Sequence, residues 1–431
     1  MRLFLTSLVC LCLSISTSFN ALADNWPQFR GPARDGKSGE TGLWAKLGEQ
    51  GPKLAWMVSG VGRGYASLAV VDGRIYTTGN TGKGQAVFAL NATTGEELWE
   101  KLITETDPKH SYDGSRTTPA VDGERLYVVS SDGRIVCLKT SDGSKLWEQS
   151  FKQWNGRMMS GWGFSESPLV DGDWVLCTPG GNDAMMVALD KLTGNEVWRS
   201  ALPSFGQEAG VNEKQLRDGA GYASIMVSQG GGVKQYIQLV GRGVIGVRAS
   251  DGKLLWRYSY VANATANIPT VLIDGDLVFC STGYGTGSGL LKLLPAQNNE
   301  VQMVEVYSLK ANELQNKHGG MILHDGHVYC GHGNGSGLPI CVNLADGKVA
   351  WGPQRGSGNG EASVIYADGH ILYRFQDGML ALVKAHPSEY AVVTSFKPAY
   401  QEGKSWSYPV IAGGKLYLRE QDRLMCYELR D

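Results

Sequence analysis

The stretch from Ala89 to Trp99 recurs along the chain: an apolar run ending at Asn91, a polar turn closing on Gly95, and a second apolar run ending in an indole. Copies in the same phase run from Cys137 to Trp147, Ala188 to Trp198, Arg248 to Trp256 and Asn343 to Trp351. Each reads as strand, tight turn, strand, with glycine where the turn needs a positive φ. A half copy, Gly51 to Trp56, carries only the turn and the last strand. Trp56 and Trp351 lie 295 residues and six repeat steps apart, about 49 residues per step. That period falls in the range of roughly 40 to 50 residues that builds one four-stranded blade.

The runs between turns are short, rich in Val, Ile, Tyr and Leu, and broken by Asp-Gly pairs such as Asp72-Gly73, Asp122-Gly123 and Asp325-Gly326. This is hairpin chemistry and excludes a helical solenoid. Units open near Ser67, Thr118, Ser167, Ala223, Pro269, Gly320, Ala362 and Tyr408. The sequence therefore predicts an all-β chain folded as an eight-bladed β-propeller of four-stranded antiparallel blades over residues 53–431. The last unit ends before a fourth strand, whereas Lys53 to Ser59 is a fourth strand without the other three. Pairing this N-terminal strand with the C-terminal blade closes the ring and hides both edges. Residues 24–52 form a lead-in whose aromatics are expected to pack on the propeller's side or face.

The recurrent Trp56, Trp99, Trp147, Trp198, Trp256 and Trp351 end each blade's outer strand, where an indole can cover the glycine turn of the next blade. They are expected to dock blades. Units five and seven offer only Tyr307 and Phe396 at this place, so looser seams are expected there.

Residues 1–23 have another character: Arg2, an apolar run from Leu3 to Ile15, then Ala21-Leu22-Ala23 before Asp24. This predicts a signal peptide and an exported product, periplasmic or extracellular. No later run approaches the ~20 apolar residues of a spanning helix. Cys10 and Cys12 follow Val9 and Leu11, not the small residue of a lipid-attachment site. Without the leader, 39 basic residues face 42 acidic ones, and no basic tract points to nucleic acid or an anionic membrane. A monomer is expected. Six cysteines remain, at matching places in their units, which reads as buried core; Cys330 and Cys341 are the one pair worth testing as a cross-strand disulfide.

The fullest repeat, Ala188 to Trp198, resembles that of the PQQ-type quinoprotein propellers. Trp26 to Pro32, Trp162 to Pro168, Thr265 to Thr270, Gly283 to Gly287 and His318-Gly319-Gly320 are similar to segments of secreted propellers described as polyvinyl-alcohol-dehydrogenase-like or BamB-like. The resemblance covers the whole mature chain. It implies either a binding scaffold without chemistry or a PQQ- and calcium-dependent alcohol dehydrogenase. In the second case the resemblance implies a calcium ion held by a glutamate and an asparagine from separate blades, for which Glu166 and Asn267 are the candidates. The adjacent cysteine pair of those enzymes is missing, and no aspartate occupies the mouth.

In a propeller the residues just before each inner strand ring one mouth of the central channel. Here they are Arg63 and Tyr65, Arg116, Trp162 and Glu166, Tyr222, Asn267, His318, Glu361, and Trp406. A ring of mixed charge, amide and aromatic groups fits a small polar ligand or a partner protein's loop. The expected function is a non-catalytic ligand-binding or protein-interaction scaffold with no cofactor and no metal. Tyr65, Trp162, Tyr222 and Trp406 also allow a carbohydrate-binding propeller. His324, His327 and His332 lack chelating spacing and read as strand-end residues. The long connections Ser200 to Gly221 and Ser281 to Val301 are expected to be partner-binding insertions.

Overall fold

The computed structural model describes residues 25–430 apart from 46, 49 and 204–215. The leader, and the middle of the Ser200 to Gly221 connection, lie outside the described residues. Eight antiparallel sheets follow one another along the chain, each built in order from a short inner strand to an outer one. In the first blade these strands are Ala69–Val71, Arg74–Asn80, Gln85–Asn91 and Glu97–Leu102. Its two middle strands are almost wholly buried, because blades pack face to face and cover both sides of a sheet; the outer strand is mostly exposed. Eight apolar clusters of the described residues mark the eight seams, each drawing on two neighbouring blades. The chain is an all-β eight-bladed propeller.

Ring closure occurs as the sequence predicts. Lys53–Ser59 pairs antiparallel with Arg423–Glu428, placing Trp56 opposite Cys426 and Ser59 opposite Arg423. The Asp-Gly turns take two forms. Between Val71 and Arg74 the loop residues are Asp72 and Gly73, both at positive φ, which is the primed turn that matches strand twist. Asp122 instead pairs with Arg125, so Gly123 and Glu124 make that loop.

The tryptophans dock the blades in a repeated geometry. Trp99, Trp147 and Trp198 donate Nε1–H to the carbonyls of Thr140, Lys191 and Ala249 in the following blade, at 3.0 to 3.1 Å. Each ring lies on that blade's turn glycine: a Cβ at Gly194 would stand 2.7 Å from the Trp147 ring, so any side chain there would push the blades apart. Tyr307 performs the same task, its hydroxyl donating to the Leu344 carbonyl at 2.7 Å and its ring covering Gly347. Phe396 covers Gly51, the turn glycine of the half copy. Tyr307 thus keeps the regular seam, while at Phe396 the ring contact is kept and the cross-seam donor is lost, so only that seam is less regular, as expected. Trp56 covers Gly95 without a hydrogen bond from its indole, and a larger departure is at Trp256, whose indole donates to Gln235 of its own blade at 2.7 Å and lies against Gly246. The fifth blade's turn, around Gln297–Asn299, offers it no glycine.

Three further readings meet the structure, with different outcomes. Ser281 to Val301 is not an insertion: it is the hairpin of two lengthened strands, Gly287–Pro295 and Val301–Lys310. Cys330 and Cys341 are not bridged. Cys330 faces Ile340 across the ladder and Cys341 faces Tyr329, so the two thiols point to opposite faces of the sheet and join different apolar clusters. The six cysteines are free and buried. The lead-in, finally, meets the expectation only in part: Trp44 packs on the face of the seventh blade, its Nε1–H donating to Ala367 at 3.0 Å beside His370, but the residues before it do not lie outside.

Residues 26–38 instead thread the channel. Trp26 exchanges two backbone hydrogen bonds with Val70 of the first inner strand, and Pro27 accepts from Val121 of the second. Lys37–Ser38 adds a parallel fifth strand to the seventh blade against Tyr366 and Ala367. Arg34 reaches Ser167 and Pro168 of the third blade, and Arg30 reaches Met321 of the sixth. A segment that touches the inner strands of five blades closes the channel from within. A mouth stays open at one end of the channel.

Candidate functional site

The mouth holds a cavity of about 440 Å³, within the usual span for small-molecule sites. Phe29 of the lead-in and Tyr408 contribute to its lining, their rings meeting edge to face at 5.2 Å. Of the sequence-predicted ring, Tyr65, Arg116, Trp162, Tyr222, His318, Glu361 and Trp406 all line it. These seven come from different blade connections, and only ring closure brings them together.

Trp406 anchors one wall. Tyr65, Tyr112 and His318 surround it with ring centroids at 5.1, 5.0 and 4.8 Å, and its Nε1–H donates to Gln376 at 2.8 Å. From another sector, Trp162 and Tyr222 meet at 5.9 Å, and the Tyr222 hydroxyl lies 2.7 Å from that of Ser160. Burial, followed by Lys317, Arg116 and Lys404, lowers the His318 imidazole to about 3, so it stays neutral.

The cations outnumber the anions. Arg116 donates to the carbonyls of Trp162, Ser111 and Tyr112 and stacks over Tyr65, with its guanidinium carbon 5.6 Å from the ring centre. Lys404 stands over Tyr112 and Trp406 at 4.7 and 4.8 Å, and Lys317 over Tyr284 at 5.2 Å. Among the described lining residues Glu361 is the one carboxylate. Its side chain is 4% exposed, Lys317 Nζ stands 3.7 Å away, and neither oxygen accepts a hydrogen bond of ordinary geometry. Burial raises its pKa to about 7, against the opposing pull of Lys317.

The other three predicted residues lie elsewhere. Arg63 is exposed and pairs with Glu402 at 3.6 Å. Glu166 is buried behind the cavity: one oxygen accepts from the Thr178 amide at 2.6 Å, the other from the Thr178 hydroxyl at 2.8 Å and from Gln238 at 3.1 Å. Burial raises it to about 7, and Arg34 of the lead-in opposes that rise. Asn267 spends its amide on Val240 and accepts at its oxygen from Asn263. Neither side chain lines the cavity. A carboxylate and an amide committed in this way do not fit the calcium and PQQ arrangement that the resemblance implies. Among the described residues no three His, Cys, Asp or Glu side chains are grouped to hold a metal, and this includes His324, His327 and His332.

Sequence reasoning missed Tyr112, Tyr284, Lys317 and Lys404. Lys317 and Lys404 stand one and two places before ring residues that were singled out. Tyr112 sits at the tip of the long connection 103–119, with φ of 55°, and nothing in the repeat points to it.

Comparison with known proteins places the chain. The family model described as "Outer membrane protein assembly factor BamB" matches residues 83–352, more than half of the chain. The chain belongs to this family of PQQ-repeat propellers. Among curated relatives, the BamB of Bordetella pertussis is 25% identical over 267 residues, covering 60% of this chain and 57% of that protein. A quinoprotein ethanol dehydrogenase of Pseudomonas putida is 30% identical over 150 residues, 32% of this chain and 23% of the enzyme. The matches thus span less than two thirds of either relative. Among solved structures, a europium-containing methanol dehydrogenase superposes with a TM-score of 0.65 at 15% identity, covering 92% of this chain and 89% of that one. Such a likeness shows the fold. BamB-type and dehydrogenase relatives alike are built on it.

Proposed function

We propose that this is an exported, non-catalytic propeller that binds a small polar ligand in its channel mouth and serves as a binding scaffold. One observation carries this reading: an aromatic cavity, closed behind by the lead-in, holds a buried carboxylate whose cation, Lys317, stands 3.7 Å away and whose oxygens lack a hydrogen bond of ordinary geometry. Buried acceptors are nearly always satisfied, and leaving one bare costs about 1–3 kcal/mol or more when charged. A ligand donating to Glu361 removes that cost. The commitment of Glu166 and Asn267 to internal partners supports binding without quinone chemistry, and kinship with assembly factors supports a scaffold.

The test is a thermal-stability titration of residues 24–431 with PQQ and Ca²⁺. A ligand at ~100 times its dissociation constant should add about 2.7 kcal/mol to the folded state. No saturable shift that needs both components is expected. A shift that needs both and disappears in Glu166→Gln would replace this reading with a quinoprotein alcohol dehydrogenase.

A further inference from the structure

We propose that the mouth cavity takes a sugar acid, meaning a pyranose that carries a carboxylate. This rests on the reading of the cavity as a ligand site and names the class of ligand. Three features must be met together, and each alone admits other ligands.

The first is Glu361. Its two oxygens are shielded from solvent beside Lys317; a ligand that displaces this shielding can present two donors to them side by side, as vicinal hydroxyls do. An ammonium or guanidinium group could donate as well, but it would enter beside Lys317, 3.7 Å from Glu361, and within the field of Arg116 and Lys404. Like charges in a partly desolvated site repel strongly. Neutral hydroxyls meet no such opposition.

The second is the excess of positive charge. Arg116 is held by main-chain carbonyls and His110, and Lys404 by aromatic faces and the Tyr112 hydroxyl. Neither forms a salt bridge to a carboxylate among the described residues. A ligand carboxylate gives them a charge-assisted partner. The third is the set of aromatic faces on separate sectors of the ring, Trp406 with Tyr65 and Tyr112, and Trp162 with Tyr222. These flat apolar surfaces suit the C–H face of a pyranose.

Three other classes fail one condition each. A planar aromatic anion satisfies walls and cations but brings no hydroxyl pair to Glu361. A neutral sugar satisfies Glu361 and walls but leaves the cations unmatched. An amino acid sets its ammonium against three positive side chains.

The test is calorimetric titration of residues 24–431 at low salt and about pH 8, where Glu361 is mostly ionised. The probes are digalacturonate, its uncharged dimethyl ester, and PQQ. Digalacturonate should bind saturably and the ester at least about tenfold more weakly. Lys404→Ala should narrow that gap to about threefold, and Glu361→Gln should weaken both saccharides at least about tenfold. Melting temperatures and circular dichroism check that both variants fold. Equal binding of the ester, an indifferent Glu361→Gln, or PQQ bound where digalacturonate is not would each overturn the sugar-acid assignment while leaving a ligand cavity. If neither saccharide, nor PQQ, nor a panel of amino acids and small carboxylates binds, the ligand-site reading falls with it.

Discussion

Removing the Trp198 indole tests how the ring is held together. The side chain is 7% exposed, it stacks on Tyr236 at 6.0 Å, and its Nε1–H donates to the Ala249 carbonyl across the seam at 3.0 Å. Its ring also covers Gly252, whose φ of 73° marks the next blade's turn. Truncating a buried aromatic to alanine costs about 3–5 kcal/mol in lost burial and cavity. The bared Ala249 carbonyl adds about 1 kcal/mol where water cannot reach it. Trp198→Ala should therefore lose about 4–6 kcal/mol. Trp198→Phe keeps most of the apolar contact but not the donor, and should lose about 1–2 kcal/mol. Guanidinium unfolding followed by far-ultraviolet circular dichroism reads both, with exposed Leu192→Ala as a control expected within about 0.5 kcal/mol of the parent. A Trp198→Ala loss below about 1.5 kcal/mol, or no larger than the control's, would refute cross-blade docking as the task of the repeated indole.

Three other outcomes are expected. Arg34→Ala strips the buried lead-in guanidinium from Ser167, Pro168 and Gln28 and leaves Glu166 without its cation; a loss of about 3–5 kcal/mol is expected, partly recovered in Arg34→Met with Glu166→Gln, and a double-mutant cycle with no coupling would refute the link. Glu166 and Glu361 both have pKa values raised to about 7 in the folded state, so the native protein holds more protons than the unfolded chain between about 4.5 and 7. Stability should fall as pH rises through that window, by on the order of 3 kcal/mol per carboxylate, and Glu361→Gln should flatten the slope. His318, lowered to about 3, acts in the opposite sense, its contribution being lost as pH falls below about 6.5, so the slope is read above pH 6.5 as well as below it. Finally, the six buried cysteines should resist a thiol reagent in the native protein and all react in denaturant without reductant; fewer than six reactive thiols would show a bridge.

The repeat makes the architecture legible in the sequence. A strand–turn–strand unit with glycine and indole at fixed places is a local signal, because turn conformation and strand alternation depend on neighbouring residues. The unmatched strands at Lys53 and Tyr408 even gave the closure. Seven of the ten mouth residues were also legible, since their positions follow from the repeat's phase. The remaining facts belong to no repeat. Whether Trp256 finds a glycine depends on a turn some forty residues later, and whether Cys330 can meet Cys341 depends on a one-residue register. That the lead-in would occupy the channel, turning Glu166 from a candidate metal ligand into a counter-charge for Arg34, was decided by backbone hydrogen bonds to inner strands hundreds of residues apart. Local chemistry wrote the blades into the sequence; the electrostatics of the mouth exist only where the closed ring gathers charges from distant connections into one desolvated space.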